Sequence, residues 1–157
     1  FWTDPLLTQQ VSQDIRDALA DLDPAHAEVY ARNQAQLARE LQALDEEIRG
    51  LLAPLRNRTF MVFHPAWGHF AAHYGLQQVA IEHEGKQPGA RSLATLIELA
   101  RQKDIRVVFV QPQFDERTAQ QIARAIDGRV IVVDPLAPDY MANLRRAAQV
   151  FAEALQP

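Results

Sequence analysis

Apolar residues recur in steps of three and four at Leu7, Val11, Ile15, Ala18 and Leu22, which predicts a helix over 3–20. Thr3 or Asp4 suits its cap, and Pro5 its first position. Asp23-Pro24 repeats the signal and opens a longer helix to about Leu52. There Tyr30, Leu37, Leu41, Leu44, Ile48, Leu51 and Leu55 form one apolar seam, broken only by Gln34, with a charged back. At about 1.5 Å per residue, roughly 30 residues make a rod of about 45 Å, longer than a small domain is wide. Such a rod covers a sheet, dimerises as a coiled coil, or connects two lobes.

After Pro54 the pattern changes to short apolar runs alternating with amphipathic ones. Strands are predicted at Thr59 to His64, Gln78 to Glu82, Arg106 to Gln111 and Arg129 to Asp134, and helices over 66–74, 90–102, 116–126 and 139–155. This is the signature of right-handed βαβ units. The expected fold is α/β, a four-stranded, mainly parallel sheet flanked by helices and preceded by the long helix.

Composition narrows the function classes. A chain of 157 residues, 48% hydrophobic and 23% charged, is ordinary for one folded domain. The net charge of −4 and scattered basic residues argue against nucleic acid as a partner. With no cysteine, a disulfide framework and a thiolate metal site are both excluded. No run of about 18 apolar residues predicts a membrane-spanning helix. Phe1 rather than methionine opens the chain, so a fragment or processed chain is expected, with any address label upstream.

Two strands end alike: His64-Pro65 and Asp134-Pro135 each set one polar side chain after an apolar run, where proline forces the chain out. In parallel sheets the carboxyl ends of the strands meet ligands, so His64, Glu82, Gln111 and Asp134 are expected along one rim. Imidazole and carboxylate suit Zn²⁺, Mn²⁺ or Fe²⁺. Two donors are half a site, so Glu82 or His83 joins them, or the rest come from another lobe. The plainer alternatives are a hydrogen-bonded histidine at a strand end and an aspartate capping its turn. His69 and His73 have ligand spacing but lack the glutamate of a metalloprotease helix, and a surface or packing role is favoured. His26 and His83 have no evident partner. No nucleophile elbow, phosphate-binding glycine loop or cysteine nucleophile is present, so no enzyme is indicated.

Six stretches carry a resemblance: Phe1-Trp-Thr-Asp-Pro-Leu, the long helix from Pro24, His64-Pro-Ala-Trp-Gly-His-Phe, Ile81-Glu-His-Glu-Gly-Lys-Gln-Pro-Gly-Ala, Val108-Phe-Val-Gln-Pro-Gln-Phe and Val133-Asp-Pro-Leu-Ala-Pro-Asp-Tyr. Together the chain resembles the solute-binding proteins of zinc, manganese and iron ABC importers, in which a rigid helix joins two α/β lobes. The resemblance implies residues 1–22 at the edge of a missing amino-terminal lobe, 23–55 as connecting helix and 56–157 as carboxy-terminal lobe. It implies His64 and Asp134 as metal ligands, with two histidines on the amino-terminal side, one of them just before Phe1. A histidine at position 64 implies zinc rather than manganese; iron, a metal chelate or haem, and a helix-mediated interaction module are the alternatives. Trp67 and Phe70 are expected near the cleft, excluding water, and Gln111 stands where the family usually carries glutamate. An extracytoplasmic or periplasmic protein delivering its ion to a membrane permease is implied.

Overall fold

A computed structural model describes residues 1–156; Pro157, the last residue of the expected lobe, lies outside the described residues. Helix α1 spans Pro5–Leu22. Asp4 caps it, its Oδ1 accepting from the backbone N–H groups of Leu6 at 2.8 Å and Leu7 at 3.2 Å. Asp4→Ala should therefore destabilise the chain by about 1 kcal/mol, read from the denaturant midpoint; an unchanged midpoint would make the cap dispensable.

The long helix is shorter than the sequence predicts. Pro24–His26 forms a single 3₁₀ turn, and helix α2 runs only over Ala27–Leu52, about 39 Å at about 1.5 Å per residue. Leu41, Leu44, Ile48 and Leu52 are fully buried, whereas no residue of 27–40 is. The first half of α2 is covered instead by α1, where Gln34 donates to Ser12 Oγ at 3.3 Å and so accounts for the polar break in the seam.

The remainder is a βα alternation: β1 Thr59–Val62, α3 Gly68–Tyr74, β2 Gln77–Ala80, α4 Ala90–Gln102, β3 Val107–Val110, α5 Arg117–Ala125, β4 Arg129–Val132 and α6 Tyr140–Ala154. All strand pairs are parallel, in the order β2-β1-β3-β4. The predicted strands stop earlier than expected, although single bonds such as Phe63 N–H to Phe109 O at 2.8 Å and Val133 N–H to Val110 O at 2.9 Å continue the ladder. Gly75, at φ 67°, ends α3 in the left-handed conformation that a residue with a Cβ avoids.

Central strands buried on both faces divide the core in two. Phe60, Val62, Val107 and Phe109 face the side covered by α2, α3 and α6, where Phe151 contacts several rings. Met61, Phe63, Val108 and Val110 face α4 and α5. Because the chain leaves β1 for β2 on one side and then crosses to β3 on the other, the crevice between β1 and β3 is the topological switch point.

Candidate metal centre

Each strand-end residue follows its strand directly or by one residue, and since all four strands are parallel, His64, Glu82, Gln111 and Asp134 share the carboxyl rim. Three of them are in contact. His64 Nδ1 is hydrogen-bonded to Glu82 Oε1, and the Glu82 side chain is only 5% exposed while that of His64 is 44% exposed. Gln111, fully buried, donates to the His64 carbonyl at 2.6 Å and accepts from the His64 N–H at 3.3 Å. An ionised glutamate could accept but not donate, so glutamine serves both halves of this clamp.

Asp134 stands two strands away, about 10 Å along the sheet. Its Oδ1 accepts from Leu136 N–H at 2.9 Å, the turn-capping role anticipated above, and from Gln113 Nε2 at 3.4 Å. Asn143 Nδ2 holds its carbonyl at 2.7 Å. Oδ2 has no hydrogen-bond partner among the described residues, and neither has His64 Nε2. No three His, Asp or Glu side chains come together to hold a metal among the described residues. The rim therefore carries two candidate donors, the half-exposed His64 ring and the Asp134 carboxylate.

Other expected residues lie elsewhere. Trp67 and Phe70 are fully buried, edge-on to each other at 5.6 Å and against Phe151, so they pack the core rather than line a cleft. Glu82 is committed to His64, and His83, in an exposed loop, makes a backbone bridge with Lys86 and no side-chain hydrogen bond among the described residues. His26 pairs with Asp23 at 2.7 Å, and His69 is exposed.

His73 is a packing residue of an ionic cluster: Nε2 lies 2.6 Å from Asp45 Oδ1 and Nδ1 3.5 Å from Asp4. Burial pushes the Asp45 carboxyl up, but hydrogen bonds with His73 and Arg49 outweigh it and hold the carboxyl below its usual range. Burial, then the charge of Asp45, pushes the neighbouring Tyr74 hydroxyl above its ordinary value, so it stays neutral.

Residues that sequence reasoning missed sit one step beyond it. Phe114 stacks on the His64 ring, centroids 5.1 Å apart and planes 17° from parallel, and Gln113 touches Asp134. Extending the strand-end argument from Gln111 into its loop would have found both. At the chain start, Trp2 Nε1 donates to Pro135 O at 3.0 Å and Thr3 Oγ1 reaches Ala66 O at 3.5 Å, so the first residues touch the loops behind both candidate donors.

Among known proteins, the family model for the periplasmic zinc-uptake complex component A, ZnuA, matches residues 1–154. The high-affinity zinc uptake system protein ZnuA of Brucella abortus is 30% identical over 139 residues, covering 87% of this chain and 41% of that protein. The protein of the same name from Paracoccus denitrificans is 34% identical over 132 residues, 83% of this chain and 40% of its own length. A crystal structure of ZnuA superposes with a TM-score of 0.96 at 39% identity, covering 99% of this chain and 61% of that one. The chain thus spans about two fifths of the length of these curated relatives.

Proposed function

The chain belongs to the family of the periplasmic zinc-uptake component A, and on that premise we propose that it forms the connecting helix and carboxy-terminal lobe of a zinc solute-binding protein. Residues 56–157 form the lobe, 23–55 the connector, and 1–22 the segment at the edge of an amino-terminal lobe. His64 and Asp134 bind the ion with donors from that lobe, and the loaded protein hands it to an ABC permease outside the cytoplasm. Its work is capture and delivery rather than catalysis.

One observation carries this reading: each strand-end side chain commits one atom to the fold, Nδ1 of His64 and Oδ1 of Asp134, and leaves the other, Nε2 and Oδ2, without a hydrogen-bond partner among the described residues. A nitrogen donor beside a carboxylate suits zinc better than the all-oxygen shell preferred by harder ions. Affinity arises when preoriented donors replace water ligands, and release requires the lobes to part. Helix α2, anchored through Leu41, Leu44, Ile48 and Leu52, confines that parting to a small hinge motion.

Titration calorimetry with zinc tests it, on this chain and on the protein extended upstream through an amino-terminal lobe. The extended protein should bind tightly and the chain alone weakly. His64→Ala and Asp134→Ala should each weaken the extended protein at least about tenfold, roughly 1.4 kcal/mol. Unaltered affinity in both variants would leave the strand-end pair purely structural.

A further inference from the structure

We infer that Glu82 is a positioning residue for the metal ion: its buried carboxylate holds the Nδ1–H of His64 and fixes the ring as the tautomer whose Nε2 lone pair faces the ion. This deepens the zinc-binding reading and rests on it. A carboxylate at 6% exposure is unfavourable in the interior unless paired, and the partner here is the imidazole. An ionised carboxylate only accepts hydrogen bonds, so Nδ1 must carry the hydrogen in the neutral ring. Nε2 is then the basic nitrogen, and the ring directs it away from Glu82.

The other contacts on His64 fix the same geometry. The ladder bond from Glu82 N–H to Phe63 O at 3.1 Å delivers the carboxylate beside β1. Phe114 stacks on the ring and limits its rotation, while Gln111 grips the backbone on both sides of the residue. The ring therefore meets the ion already oriented, with the carboxylate behind it. Glu82 does this from the far side of the imidazole; it is not itself a ligand. Its signal in the sequence was its place at the end of β2, one strand from His64.

Long-range ¹H–¹⁵N spectra of the metal-free chain, with the ring neutral and His64 assigned by its loss in His64→Ala, give the tautomer directly. The parent should show Nδ1–H. Glu82→Leu should shift the ring toward Nε2–H and weaken zinc binding about tenfold or more, followed by shift titration with zinc. Glu82→Gln, which retains an accepting oxygen, should keep the tautomer and lose less affinity. Nε2–H in the parent, or a Glu82→Leu chain with unchanged tautomer and affinity, would overturn the inference. Should Glu82→Leu fail to fold, the parent's tautomer and the Glu82→Gln titration decide. Zinc binding that senses His64→Ala but ignores Glu82 overturns this inference alone; binding that ignores His64→Ala overturns the metal reading and this inference with it.

Discussion

Phe151→Ala destabilises the chain by about 3–5 kcal/mol, the range for deleting a buried phenylalanine ring. Phe151 is fully buried, with ring centroids 4.5 Å from Phe109, 4.8 Å from Phe60, 5.3 Å from Phe70 and 5.5 Å from Trp67. Those neighbours come from β1, β3, α3 and the loop before it, so no single element can shift to fill the hole. The loss combines apolar burial with edge-to-face contacts that alanine cannot make. Guanidinium unfolding followed by circular dichroism should show a lower midpoint at an unchanged slope. A loss below about 1 kcal/mol would mean that the surrounding rings collapse into the space.

Asp45→Ala should destabilise by about 2 kcal/mol at neutral pH, less than the roughly 3–5 of a fully enclosed pair because Arg49 is half-exposed. The carboxyl joins Arg49 of its own helix at 3.1 Å to His73 of α3 at 2.6 Å, tying α2 to α3. Its pKa in the fold lies below the unfolded value. The contribution is therefore complete above the usual aspartate value of about 3.9 and disappears as pH falls through the lower folded value. Parent and variant should differ most near neutrality and converge in strong acid; a difference independent of pH would assign the effect to packing. Urea midpoints measured across that range distinguish the two.

The parts of this molecule that local chemistry dictates were legible. Apolar runs closed by Pro65 and Pro135 located two strand ends, and with them His64 and Asp134, because proline cannot continue a ladder. Cap and proline signals located α1. What remained hidden depends on partners distant in sequence. The strands end sooner than their apolar runs because a parallel ladder extends only as far as its neighbour, and β1 pairs with β3 in register only at Met61 and Val62. Trp67 and Phe70 were read as cleft residues because helical spacing cannot distinguish a ring facing a core from one facing a ligand. The sequence favours a surface or packing role for His73, but only the fold brings Asp4 and Asp45 to it.

The two central strands have a further property. From Phe60 to Val62 in β1 and throughout β3 every side chain on either face is apolar, so along these stretches polarity does not record which way a residue points. A slip of one residue would exchange Phe60 and Val62 with Met61 and Phe63 without exposing a single charge. The memory of register must therefore reside in volume: room for rings around Phe151 on one side, and for Met61 and Val108 on the other. A sequence library that preserved hydropathy at these positions while shuffling size would pass every compositional filter and still lose the sheet.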